Sequence, residues 1–533
     1  MPLRRRRAAR RAGAVARRLS TPRLAGGRDE VPARRGGALP TARDPGRDRE
    51  GRGIGRGRAP GRAGGLDRRS GRHRRDATCE PSRDRGRDRN QYGAAHRQRG
   101  VVSGAASRGR ADRGEARGLG SGGVRAGDLT AFKSDVARWR GGAFDHTVRA
   151  SAERVVRDVR RRGDAAVLAT VRRFDRPRAR LGDLVVEPAA IRRAARSCPP
   201  EVRRALDLAH RRIRAFHARQ QPVAVTRRDK DASVELVPVP LDRVGALVPR
   251  GAVSYPSTAM MTGVPARVAG VRELVIVSPM SRASGLDPAL AYAATLVRAD
   301  AIYRAGGAAA VAALAYGTDR VAAVDKIVGP GNAHTSAAKW LVSADVGIDA
   351  LSGPSELAIV ASRDADAGSL VLDLLAQAEH GAGAFATLLS NDATLLDAVS
   401  QILRRIAASG SRIGCYRAPS LVAAALAVNE IAPEHALLAG DAAVALRDRI
   451  THAGALFVGM RSAVAFGDYV AGSNHSLPTG GTARWSSALR VDDFVHWETR
   501  VAVRRPERLA RAGATVAAYE GMRYHAASME IRT

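Results

Sequence analysis

The sequence has little cysteine, few aromatic residues and no long apolar run. Cys79, Cys198 and Cys415 are its three cysteines, and no two of them form a CxxC. That argues against a disulfide framework or a thiolate zinc site, and points to a reducing compartment, the cytoplasm by default. No apolar stretch reaches the ~18 residues of a membrane-spanning helix, so no membrane partner is expected. Acidic residues are scarce beside basic ones, with 52 Asp+Glu against 88 Lys+Arg and a formal charge of +36. Such a surplus ordinarily signals nucleic acid. Its distribution argues otherwise, because residues 1–128 carry roughly +22 of it.

That first segment reads "LRRRRAARRAGAVARR", "GRGIGRGRAPGR" and "SRDRGRDRNQ". With almost no aromatic residues and no apolar run of strand or helix length, it cannot bury enough surface to offset the entropy of ordering. Residues 1–127 are therefore expected to be disordered or to lie outside the native chain, which would then start near residues 124–130. A nucleic-acid-binding tail is the competing reading. It predicts steeply salt-dependent binding that disappears with the segment. The body has no matching nucleic-acid signal, so nucleic acid is not an expected partner. A signal peptide is not expected, because no apolar stretch follows the arginines.

From Asp128 onward short apolar strands alternate with amphipathic helices. Residues 147–175 read as two helices broken at Gly163, and 199–220 as another. "RVGALVPRG" (243–251), "ELVIVSPM" (273–280), "AIYRAGG" (301–307), "DKIVG" (325–329) and "ELAIVAS" (356–362) read as buried strands separated by helices. This pattern predicts an α/β fold with parallel sheets covered on both faces.

Five motifs carry candidate chemistry. "GPGNA" (329–333) follows a strand and opens a helix, which suits either an anion at the helix N-terminus or a tight glycine turn. In "LLAQAEHG" (374–381), Gln377 and His380 are three residues apart. On a helix they would share a face and could grip a borderline metal such as zinc, or simply end the helix in solvent. "FGDYVAGSNHSLPTGG" (466–481) presents Asp468 and His475 on a loop. "YEGMRYH" (519–525) adds Glu520 and His525. "APEH" (432–435) sets Glu434 beside His435, a carboxylate and an imidazole suited to general acid–base work.

Taken in order, "LVPRGAVSYPSTAMMTGVPARVAG", "AGGAAAVAALAYGT", "VDKIVGPGNA", "SGPSE", "LLAQAEHG", "APEH", "GDYVAGSNHSLPTGGTAR" and "EGMRYH" resemble the histidinol dehydrogenases over roughly residues 128–533. The resemblance implies two incomplete Rossmann-like parallel-sheet domains with smaller helical and tail segments, intertwined in a homodimer with shared active sites. Residues 128–246 and 356–490 would form the first domain, 247–355 the second, on the cofactor side, and 491–533 a tail reaching the partner subunit. It implies oxidation of L-histidinol through L-histidinal to L-histidine, the last step of histidine biosynthesis, with NAD and one zinc per subunit. Gln377, His380, Asp468 and His525 would hold the zinc. Ser355, His435 and Glu520 would contact substrate together with those ligands. His435 would take the hydroxyl proton, Glu434 would activate water, and His475 would assist. No cysteine lies near these motifs, so a thiohemiacetal route lacks a nucleophile.

Three departures stand in the cofactor loops. Leu247 and Ala309 replace the family's usual NAD-contacting tyrosine and glutamine, leaving Asn332 from that set, and Arg250 replaces a glycine. An arginine there raises NADP as an alternative to NAD. The second functional reading is a relative of the same fold acting on another polar amino or sulfonated alcohol.

Overall fold

The computed structural model describes residues 124–533, apart from 142–144, 251–253, 282–284, 382 and 407–411. The expectations for residues 1–123 lie outside the described residues. Residues Arg125–Asp128 are already a strand, so the folded body begins slightly before the expected boundary at 128.

Among the described residues the strands form two six-stranded sheets and one three-stranded sheet. The first sheet runs in the order Arg125–Asp128, Arg412–Arg417, Phe385–Ser390, Glu356–Ala361, His435–Ala439, Ala455–Val458, all parallel. The second runs Val185–Val186, Ala301–Tyr303, Glu273–Val277, Arg243–Leu247, Lys326–Val328, Gly347–Ile348. Only its edge strand Val185–Val186 is antiparallel. Setting aside the edge strand that each sheet takes from upstream, both have the chain order 3-2-1-4-5. That is the doubly wound Rossmann order without its sixth strand.

Alternation along the strands explains the layers. In Glu273–Val277, Leu274 and Ile276 face one side and Val275 and Val277 the other. One face of the second sheet packs on the helices His146–Arg162, Asp164–Phe174, Gly307–Tyr316 and Ala333–Val342, through residues such as Val156, Val167 and Leu314. The other packs on Pro188–Ala195, Pro200–His217, Pro256–Ala269 and Pro288–Leu296, through Ile191, Ile213, Met260 and Leu290. The first sheet lies between Ala367–Ala378 with Ala393–Ile406 and Leu129–Arg140 with Leu421–Ile431. Burial on both faces is why the strands read as continuous apolar runs.

Two details differ from expectation. Residues 128–246 were expected with the first domain, yet the helices within 146–217 cover the second sheet, and Arg243–Leu247, which the expected boundary cuts, is one of its central strands. An amphipathic helix records that it covers a sheet but not which one. A third sheet, Val495–Val503 with Ala232–Pro240 and Val225–Arg228, is antiparallel and was not anticipated. It pins the start of the tail to its own chain over nine residue pairs. The helices Pro506–Tyr519 and Arg523–Glu530 follow it. Among the described residues no helix is long and apolar enough to cross a membrane.

The break at Gly163 is as expected, with φ of 52° between two helices. A tighter constraint lies at Gly329, after the strand Lys326–Val328. Its φ is 102°, and an added Cβ would stand 2.4 Å from the Leu247 carbonyl oxygen. Its N–H donates to Asp349 Oδ2 at 2.6 Å, and Lys339, wholly buried, binds both its carbonyl and Asp349. Gly329→Ala should cost about 1–3 kcal/mol from the backbone conformation alone. Urea unfolding should show the midpoint fall at unchanged m-value; an unchanged midpoint would refute the constraint.

Candidate active site

The edges of the two sheets meet across one cavity of about 960 Å³. The second sheet contributes the carboxyl ends of its strands at the point where strand order reverses. Pro249 follows Arg243–Leu247, and Gly329–Asn332 follow Lys326–Val328. Ligands of doubly wound sheets bind there. The first sheet contributes the opposite, amino-terminal edge. Ser355 precedes Glu356–Ala361, and Glu434 and His435 open His435–Ala439. Gln377 and His380 enter from the end of the helix Ala367–Ala378, and Asp468 and His475 from the segment beyond residue 464.

Glu434 is the most constrained group in this wall. Ser355 Oγ donates to its Oε2 at 2.6 Å and the Glu356 N–H donates to the same atom at 2.9 Å. Burial nevertheless dominates and pushes its carboxyl up to about 8. The hydrogen bonds from Ser355 and Glu356 pull the other way, the Glu356 carboxylate adds to the rise, and His380 opposes it. No donor among the described residues reaches Oε1.

His435 is buried, 3% exposed, with Nδ1 3.2 Å from the Glu356 carbonyl oxygen and 3.6 Å from Glu434 Oε2. A carbonyl only accepts, so Nδ1 carries the proton and Nε2 holds the lone pair of the neutral ring. Burial, first among the causes, lowers the imidazole pKa, while Asp468 raises it. The ring is therefore poised as a neutral base.

The metal candidates divide. Gln377 is buried and its Nε2 donates to Ser355 Oγ at 2.8 Å, which leaves the amide oxygen as its free donor atom. His380 lies past the helix end, in a turn closed by its N–H on the Gln377 carbonyl. Gly381 follows at φ 113°. The expected shared helical face is thus a shared turn. Asp468 sits on the short helix Ala465–Tyr469, and burial raises its carboxyl while His435 and His380 lower it. No donor among the described residues reaches the Asp468 carboxylate. His475 is held by the Asp468 carbonyl at Nδ1 and Thr258 Oγ1 at Nε2, and burial drives its pKa down to about 4. Both of its nitrogens are engaged, so it acts as a strut.

Glu520 and His525 do not line the cavity of their own chain; both are exposed on the tail. Among the described residues no three His, Cys, Asp or Glu side chains converge as a metal site. The donors present, one amide oxygen, one imidazole and one unpartnered carboxylate, suit zinc but are one short of a four-ligand shell.

On the cofactor side Asn332 lines the cavity and caps the helix Ala333–Val342, its Oδ1 accepting from the Thr335 N–H at 3.0 Å. Leu247 and Ala309 are buried in the core behind it, outside the cavity wall. Arg250 lines a separate small cleft with Ser278 and Arg304.

The family model for histidinol dehydrogenase matches residues 140–533. The chain belongs to the histidinol dehydrogenase family. It is 42% identical over 400 residues to the histidinol dehydrogenase of Rhizobium meliloti (strain 1021), covering 72% of this chain and 92% of that protein. It is 41% identical over 424 residues to that of Aromatoleum aromaticum, covering 77% and 96%. The crystal structure of histidinol dehydrogenase from Elizabethkingia anophelis superposes with a TM-score of 0.70 at 28% identity, covering 77% of this chain and 98% of that one. The resemblance read from the motifs is thereby shown, together with the α/β parallel-sheet fold.

Several residues that hold this candidate site together carry no sequence signal of that role. They are Glu356, inside "SGPSE", with Thr258 and Asn474. Asn474 Nδ2 donates to the Met261 carbonyl at 2.7 Å, which fixes the loop below His475. Only a buried polar residue inside an otherwise apolar run could have flagged such positions.

Ser355→Ala removes a hydrogen bond that favours the ionised form of Glu434, so the Glu434 pKa should rise above about 8. A step needing the ionised carboxylate is lost as pH falls through that pKa. Its acid limb should therefore move to higher pH in the variant. A rate–pH profile with an unmoved limb would show that Glu434 does not govern it.

Proposed function

We propose that the protein oxidises L-histidinol through L-histidinal to L-histidine, as a zinc-dependent, NAD-linked enzyme of the cytoplasm. The observation that carries this reading is the buried Glu434–His435 pair, beside Gln377, His380 and Asp468 in a cavity that reaches the dinucleotide edge of a Rossmann-order sheet.

Zinc, held by Gln377, His380 and Asp468 with His525 of a second copy, would supply positive charge to grip the nitrogens of the substrate. NAD, against Asn332 and the Gly329–Asn332 loop, would supply the hydride acceptor. Ser355 and Glu520 complete the proposed substrate contacts. His435 Nε2 takes the hydroxyl proton as the alcohol is oxidised, and the carbonyl of Glu356 steadies the imidazolium that results. Glu434, ionised above its raised pKa, removes a proton from water for attack on the aldehyde. Buried Cys198 and Cys415 line no part of the cavity.

The incomplete donor set supports a homodimer with shared sites. His435→Ala should lose nearly all alcohol oxidation while metal content stays, and His525→Ala should lose both. Co-refolding the two inactive variants should restore about one quarter of wild-type activity, because half of the dimers are mixed and each has one intact site. No recovery would exclude the crossed tail. Parallel assays with NAD and NADP decide the cofactor, and no turnover of L-histidinol with either would overturn the substrate.

A further inference from the structure

Both acid–base residues hang on the backbone of one residue, Glu356. Its N–H donates to Glu434 Oε2 and its carbonyl accepts from His435 Nδ1. Glu356 is the first residue of its strand, so its N–H is spent on Glu434 instead of a neighbouring strand. What fixes this residue is its side chain, which is wholly buried and ionisable. Arg140 Nε donates to Oε1 at 2.8 Å and an Arg140 terminal nitrogen donates to Oε2 at 2.5 Å. The N–H of Gly480 donates to Oε1 at 3.0 Å.

Arg140 ends the helix Leu129–Arg140 and arrives from 216 residues upstream. Its guanidinium also packs under Gly481, where an added Cβ would lie 3.0 Å from it. The same loop is tied to the strand start a second time, by the Gly353 N–H on Thr479 Oγ1 at 2.6 Å. A buried ion pair is a weak source of stability, since an apolar pair of the same shape would pack the helix as well. A forked arginine–carboxylate contact instead fixes orientation.

We infer that Arg140 is a positioning residue for the acid–base pair, acting through the clamped side chain of Glu356. The inference rests on the reading that Glu434 and His435 perform the chemistry. Arg140 does not line the cavity; by holding the Glu356 side chain it fixes the α-carbon that joins the two peptide groups from which Glu434 and His435 take their orientation.

The test compares Arg140→Gln and Arg140→Lys in the full-length, metal-loaded protein. Arg140→Gln should lower kcat for L-histidinol about 10- to 100-fold, because small misplacements of reacting groups cost that much. KM and bound metal should be unchanged, and Arg140→Lys should recover part of the loss. Hydrogen exchange should quicken at the amides of Glu356 and Gly480 while the remaining strands of the first sheet keep their protection. A folded Arg140→Gln protein with wild-type kcat overturns the inference, as does a lysine variant no better than the glutamine one. If Arg140→Gln does not fold, the lysine variant decides alone: a lower kcat at constant KM supports positioning, and wild-type kcat refutes it. If wild type fails to turn over L-histidinol, the substrate reading fails. The exchange measurement then decides the clamp by itself.

Discussion

A carboxylate and an imidazole are removed from water at the start of one strand, and most of the surrounding structure follows from that burial. Moving charge out of water is unfavourable, so Glu434 must be protonated or supplied with donors. Ser355 and the Glu356 N–H supply two. Those donors need holding in turn. Gln377 donates to Ser355, Glu356 is gripped by Arg140, and the loop at Gly353–Gly480 closes over both. The site is therefore a chain of dependencies reaching from the cavity to the end of the first helix of the folded body.

The two sheets place opposite ends of their helices on opposite walls of the cavity. On the second-sheet side the helix Ala333–Val342 starts at Asn332, so unpaired N–H groups and the positive end of its dipole face the ligand space. That wall suits phosphate. On the first-sheet side the helix Ala367–Ala378 ends just after Gln377 and just before His380, so the negative end of its dipole lies there. That wall suits a cation. The same Rossmann order, used once by its carboxyl edge and once by its amino edge, thus yields an anion wall and a cation wall facing each other. Two copies of one topology with like edges facing inward would give two walls of the same sign.

The sequence made legible whatever depends on local pattern. The strands around Leu274 and Ile359 and the Gly163 break follow from apolar period and glycine placement, which short-range sterics dictate. What it hid depends on long-range pairing. The helices of residues 146–217 could cover either sheet because an apolar stripe fits both. Leu247 and Ala309 look like lost contacts in a cofactor loop, whereas the fold seats them in the core. Arg140 reads as one more cation at the end of a basic amphipathic helix, since its partner lies 216 residues away. Asp468 and His475 were legible as a polar loop, but only the fold separates the unpartnered carboxylate from the imidazole engaged at both nitrogens.

The tail ties metal affinity to assembly. The strand Val495–Val503 binds its start to its own chain, while Tyr519, Tyr524 and Ile531 beyond it are 94, 73 and 82% exposed. Large side chains left uncovered on one arm favour burial against another surface. In the proposed dimer that surface is the second copy, and His525 travels with the arm. Because a cation would bind four donors in the dimer and three in the lone chain, its affinity differs between the two states. Linkage makes the effect reciprocal: a metal that prefers the dimer stabilises the dimer by the same free energy. The wall that cannot close a metal shell within one chain is consistent with a site that is complete only when the protein is assembled.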